Sequence, residues 1–555
     1  MISTRLLTLL VIFKTCLCFS QPDRDLEKTL TAVNPNDIKA SMTFLADDLL
    51  EGRQPGTRGF ALASKYIESR FISLGLQPGV DGKSYVQPVP FRKGVVNESS
   101  SSLTLIAKGK TELLTLGKEF ILSPYFLTNV SEVTASLVFV GFGVSAPELK
   151  YDDYGKTDVR GKIVVYLNGA PANFPSNERA YFSSAAKITD AVKRGAVGVI
   201  SFSTPTDNRS SWEATVRRSK QGSFKWINVD GKPANSNDEL KAVAGFNPES
   251  AEKLFASSGK TLQSVYENAK ANKPQSFQLN IEANIKVNTV HSFVQGSNLI
   301  GVLPGSDPKL KDEYIVYAAH LDHFGKGAPV KGDSIYNGAH DNASGVSILL
   351  GIAQAFMSHP VAPARSIIFA VVTGEEYGLL GSDYFINNPT VKADNIVANL
   401  SIDMPFFFHP ILDIVPYGAQ HSSLSTQVEK AAATLNLKIS PDPFPEQVVF
   451  IRSDHYSFIR KGIPSLFIKS GFMTVPEDQT DRSKTDVGWR STIYHTPQDD
   501  MSQPFDFNAA AMHVKVNFLI GHYLGYDPNR PTWNKGDFFG GKFGTKTVET
   551  INFKK

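Results

Sequence analysis

From about residue 295 the chain alternates short apolar runs with amphipathic segments, and this alternation constrains the fold more than any other feature. The runs "EYIVYAAH", "RSIIFAVVTG", "IVANLSIDM", "LDIVPYG" and "IPSLFIKSG" read as strands. Between them, "GVSILLGIAQAFMSH", "SSLSTQVEKAAATLNL" and "DFNAAAMHVKVNFLIGHYLG" carry helical spacing. Strand–helix alternation predicts an α/β domain with a mainly parallel central sheet flanked by helices. Strands buried on both faces read as continuous apolar runs, as these do. Ligands in such sheets bind at the carboxyl ends of the strands, which directs attention to the residues placed there.

Upstream the character differs. Residues 130–290 hold short β-rich runs such as "ASLVFVGFGV" and "GKIVVYLNG", and read as a separate inserted β-rich domain. Within it, "STPTDNRSSWEATVRRSKQGS" reads as an extended polar loop. Residues 40–80 contain a helix with Leu62, Tyr66, Phe71 and Leu74 on one face and Gly75 as its stop. Residues 1–20, "MISTRLLTLLVIFKTCLCFS", have the outline of a secretory signal and are short for a membrane span. The expected divisions are 1–20 signal, 21–129 N-terminal part of the α/β domain, 130–290 insert, 291–526 α/β domain and 527–555 a surface-packed tail.

Composition narrows the partners. Of 555 residues, 41% are hydrophobic, enough for a large core, and the formal charge is only +3. With no basic run, a nucleic-acid partner is not expected, nor is a stable membrane span. Cys16 and Cys18 are the two cysteines, so cleavage of the signal would leave no cysteine chemistry. A secreted or periplasmic location follows as the expectation. Oligomeric state is left open.

The predicted strand ends carry a set of histidines and acids. "HLDHFG" supplies His320 and Asp322, "GAHDNASGV" Asp341, "TGEEYGLLGS" Glu375 and Glu376, "SIDM" Asp403, and "YHTPQDD" His495. Singly each has an ordinary explanation. An aspartate before a helix is an N-cap, and a histidine after a strand is a polar loop residue. Jointly, two histidines and several carboxylates at the ends of neighbouring strands form a donor set for zinc. Residues i and i+2 of an extended segment face the same way, so Asp322 is expected to reach the His320 imidazole. His323, His340 and His455 lie close in sequence and are the alternatives for a histidine ligand.

These motifs resemble the co-catalytic dizinc exopeptidases, a family of secreted aminopeptidases with glutamate carboxypeptidase-like members. "LADDLLEGRQPGTRG" resembles the family's N-terminal segment, and "GFGVSAPELKYDDYGKTDVRGKIVVYLNG" is similar to a protease-associated (PA) domain. The resemblance implies two zinc ions per chain: His320 and Asp403 on one, Glu376 and His495 on the other, Asp341 bridging. It implies Glu375 as general base, Asp322 orienting His320, and peptides as substrates. "RSDHYSF" is similar to the family's substrate-side loop and makes Arg452 and Phe458 candidate substrate contacts, with Phe406 and Phe450 nearby. An aminopeptidase is the expected activity. The alternatives are a carboxypeptidase, a glutaminyl cyclase-like enzyme, or a non-enzymatic receptor-like protein lacking the ligands. The filled ligand positions weigh against the last.

Overall fold

The computed structural model describes residues 24–205 and 211–544; the expected signal at 1–20 lies outside them. Four parallel strands form the centre of the larger sheet: Ser366–Val372, Tyr314–His320, Ile396–Ser401 and Ser465–Ser470, in that spatial order. Antiparallel neighbours close both sides, Phe277–Leu303 against the first and Asp413–Tyr417 against the last.

Alternation along Tyr314–His320 explains the layering. Ile315, Tyr317 and Ala319 join Ile38, Met42, Phe71, Ile348 and Val514 in one core. Val316 and Ala318 point the other way, into a second core with Phe385 and Phe458. Both faces are therefore covered by helices, as parallel sheets require. Helix Arg58–Leu74 stops at Gly75, whose φ of 78° provides the left-handed cap. Its buried face runs through Phe60, Ala63, Ile67 and Phe71, while Leu62, expected on that face, is exposed.

The β-rich body is built on four parallel strands, Val130–Phe139, Ile163–Leu167, Gly198–Phe202 and Ala242–Phe246. Its core also includes Leu103, Leu105, Leu114, Phe120 and Leu122, so this body draws in chain upstream of the boundary expected at 130. Strand Phe277–Leu303 belongs to both bodies. Its first half pairs with Val130–Phe139 and Ser102–Ala107, and its second half with Val86–Val96 and Ser366–Val372.

The segment expected as an extended loop contains helix Trp212–Lys220. The Ser211 hydroxyl caps it at Ala214 N, with Glu213 in the first turn and Arg217, Arg218 and Lys220 in the last. These charges complement the helix dipole, a local signal present in the sequence. In the tail, Phe539 is fully buried with Phe450 and Tyr417 rather than lying on the surface. No helix among the described residues is long and apolar enough to cross a membrane.

Candidate active site

Three parallel strands end level, which brings their terminal residues together. His320 pairs in register with Val372, and Ala318 with Ser401. The chain therefore leaves the sheet at His320, at Glu375 and at Asp403 on one edge. Asp341 arrives from the turn Ala339–Ala343 that opens helix Ser344–Ser358, and His495 from the loop after helix Arg482–Thr492. Gly374, with φ of 69°, makes the turn that swings Glu375 and Glu376 off their strand.

The five expected ligands converge around Asp341. Its Oδ1 lies 3.3 Å from His320 Nε2 and its Oδ2 3.1 Å from His495 Nε2. His320 Nε2 is also 3.6 Å from Asp403 Oδ1, and His495 Nε2 is 3.2 Å from Glu376 Oε2. Glu375 Oε2 stands 3.9 Å from His320 Nε2, at the margin of the cluster. His323 is brought in as well, its Nδ1 2.5 Å from Glu376 Oε1.

The donor atoms fit a metal. His320 Nε2, His495 Nε2, Asp403 Oδ1 and Glu376 Oε1 are all buried without a hydrogen bond. Buried polar atoms left unpaired are costly, and a cation shared among them removes that cost. His320 Nδ1 faces the backbone carbonyl of Asp322 at 3.1 Å. A carbonyl can only accept, so Nδ1 carries the proton and Nε2 presents its lone pair to the cluster. Imidazole nitrogens and carboxylates are the donors zinc takes.

Asp322 acts differently from the expectation. Its carboxylate is 3.9 Å from His320 Nδ1, and the imidazole is oriented by the Asp322 carbonyl instead. The strand ends at His320, so the i, i+2 rule no longer governs residue 322. The carboxylate accepts the N–H groups of Glu375 at 3.1 Å and Glu376 at 3.4 Å, fixing the turn that carries both glutamates.

Electrostatics separates the acids. Burial, reinforced by Asp403 and Glu376 and opposed by His320, raises the Glu375 carboxyl well above its ordinary range. Burial also acts on Asp341, but the adjacent imidazoles of His320, His495 and His323 overcome it and hold the carboxyl well below the usual range. Asp322 is pushed up to about 7, chiefly by burial.

The proposed substrate contacts scatter. Phe458 is fully buried against Phe385 in the core beneath the sheet. Phe450 is buried against His421 and Phe539. Phe406 is buried beside His340 and Phe408. Helix His455–Ile459 turns residue 458 inward, so proximity in sequence to a motif did not place it on a surface. Arg452 is exposed, in the loop before that helix.

Three functional residues were not legible. Arg53, 1% exposed, donates to the carbonyls of Leu45, Leu321, Asn337 and Gly338, clamping the two loops that carry the histidines and Asp341. Burial lowers its pKa to about 10, against the opposing pull of Asp322, Asp499, Asp341 and Glu376. Asp499, in "YHTPQDD", accepts the N–H groups of His340 and Asp341. Arg218, from the capped helix of the insert, places its guanidinium 3.4 Å from His495 Nδ1 and brings the insert to the mouth of the site.

Residues 298–519, the segment that contributes every one of the five expected ligands, match the family model of peptidase family M28. This segment is an M28 peptidase domain. Leucine aminopeptidase 1 of Trichophyton equinum is 29% identical to the chain over 238 residues, 41% of this chain and 58% of that protein. Aminopeptidase NAALADL1 of Mus musculus is 26% identical over 269 residues, 41% of this chain and 34% of that protein. The chain thus spans less than two thirds of the length of these curated relatives. The fold of an aminopeptidase from Aneurinibacillus sp. strain AM-1 superposes with a TM-score of 0.54 at 21% identity, covering 91% of this chain and 97% of that one. The agreement in fold therefore extends beyond the M28 domain into the β-rich body.

Proposed function

We propose that the chain is a secreted zinc exopeptidase that holds two zinc ions and removes N-terminal residues from peptides. The observation that carries this reading is the position of Glu375. Its side chain is 11% exposed, with a carboxylate oxygen 3.9 Å from His320 Nε2, beside the converging ligands and outside both three-donor groups, His320/Asp341/Asp403 and His323/Asp341/Glu376. Zinc bound there supplies Lewis acidity that polarises the scissile carbonyl and lowers the pKa of water. Glu375 takes a proton from the attacking water and returns it to the leaving amine. Asp322 keeps Glu375 and Glu376 in their relative places through their backbone N–H groups. The protonated Nδ1 of His320 leaves Nε2 available on the Asp341 and Asp403 side.

A carboxylate-rich site suits a substrate ammonium, which favours recognition of a free α-amine. A second reading has one observation in its favour. Lys469 donates to the carbonyl of Met404, next to Asp403, and burial and Arg490 push its pKa down to about 7. With Arg452 it is a candidate to take a substrate carboxylate, Lys469 being mostly charged only below about pH 7. A matched pair of peptides decides between them. N-acetylation should abolish cleavage and C-amidation should leave it nearly unchanged; the reverse pattern would make the enzyme a carboxypeptidase. The phenylalanines expected as substrate contacts, Phe406, Phe450 and Phe458, are buried, so no preference for a first side chain rests on them.

A further inference from the structure

We infer that His323 is a fourth protein ligand on the Glu376 side of the metal site, which makes the two zinc positions unequal. The inference rests on the dizinc reading above and adds a ligand to it. The donor atoms of His323, Asp341 and Glu376 lie within 4.8 Å of one another, as do those of His320, Asp341 and Asp403. His495 Nε2 joins the first group at 3.1 Å from Asp341 and 3.2 Å from Glu376. One position thus has two imidazoles and two carboxylates, and the other has one imidazole and two carboxylates.

Three observations separate this from a histidine that merely packs nearby. His323 is fully buried, and its Nδ1 stands 2.5 Å from Glu376 Oε1, yet neither atom has a hydrogen bond. The contact is close but lacks the direction of an N–H donor. The chain also makes room for this ring. Gly338, with φ of 59°, lies directly beneath it, and a Cβ there would stand 2.6 Å from His323 Cγ and 2.1 Å from Asp341 O. Arg53 fixes the same two strands of loop by accepting His323 N at its own carbonyl and donating to Gly338 O. The imidazole therefore sits in a cradle that no other residue type at position 338 would leave open.

Four protein donors close a tetrahedral zinc position, whereas three leave one place for water or substrate. The His323–His495–Glu376–Asp341 position is then the tighter and the less accessible. The His320–Asp403–Asp341 position would keep the open place for substrate, on the side where Glu375 stands.

The test loads metal-free protein with Zn2+ against a competing chelator, for the parent chain and His323→Gln, and loads the parent and His323→Cys with Co2+. The parent should bind two ions with unequal affinities. His323→Gln should weaken the tighter one by more than the 10–100-fold typical of residues that only support a ligand. His323→Cys places a thiolate at the short reach of Nδ1 and should add a sulfur-to-cobalt charge-transfer band in the near ultraviolet, absent from the parent. Two equally tight ions in the parent, a change within 100-fold in His323→Gln, or no such band in a folded His323→Cys each overturn the proposal. A parent chain that binds fewer than two ions would instead remove the dizinc reading on which it rests.

Discussion

The carboxylate of Asp499 accepts the backbone N–H of Asp341 at 3.0 Å and that of His340 at 2.8 Å. The residue expected to bridge two metals is thus placed by a residue outside both three-donor groups. Asp499→Ala should leave two buried N–H groups unpaired, at roughly 1–3 kcal/mol each. Both metals should be lost more readily, because the bridge serves both. Elemental analysis after dialysis against a weak chelator, alongside thermal denaturation, checks this; full metal retention would show that the loop holds its shape without Asp499.

The proposed function gives the neighbours Glu375 and Glu376 separate tasks. Glu375→Gln should keep the metal and the fold while lowering turnover by about 10²–10⁴-fold, the usual worth of proton transfer. Glu376→Gln should lower metal affinity first, and activity only as a consequence, with excess zinc restoring part of it. Metal content measured beside kcat distinguishes the two, and an inverted pattern would reassign the roles.

Arg53→Lys keeps the charge and should still be damaging. A lysine cannot reproduce a planar guanidinium that reaches four carbonyls on three segments. Carbonyls left without a donor in this buried place are expected to cost roughly 1–3 kcal/mol each. Arg53→Lys should therefore unfold at a distinctly lower denaturant midpoint and bind metal weakly. A variant with parent-like stability would show that the clamp is dispensable.

The β-rich body has its own titrating group. Asp153 is fully buried and pushed up to about 7, principally by burial and against four hydrogen-bond donors, Phe142 N, Val144 N, Gln275 N and the Tyr151 hydroxyl. Between about pH 4 and pH 7 the folded chain keeps this proton while the unfolded chain has released it. Folded stability attributable to Asp153 therefore falls as pH rises through that window. Asp153→Asn cannot ionise and should flatten the slope. Denaturation midpoints of parent and variant at pH 4.5, 5.5, 6.5 and 7.5, spanning roughly that window, measure the difference; parallel curves would mean that Asp153 stays charged throughout.

How much could be seen in advance depended on what a residue acts upon. The strand ends were legible because apolar runs such as Ile367–Val372 stop abruptly at polar motifs, and the acids and histidines that follow them have side-chain chemistry of their own. Arg53, Asp499 and the carboxylate of Asp322 act on backbone N–H and carbonyl groups far along the chain, which no side-chain pattern reveals. The helix at Trp212–Lys220 was present in the sequence as a serine cap with matched end charges, and was outweighed by the polar character of its surroundings. Phe450 and Phe458 were misplaced because nearness to a motif says nothing about which way a short helix turns its face.

Strand Phe277–Leu303 runs through both bodies, with Ala283 and Ile285 in the core of one and Leu299 in the core of the other. Pulling either core apart must peel the same ribbon away from its neighbours. The two bodies are thus mechanically in series and should melt as one cooperative transition rather than as independent beads. The insert would then act as a rigid lever: a force or a ligand that tilts it transmits directly to the sheet edge that bears Glu375.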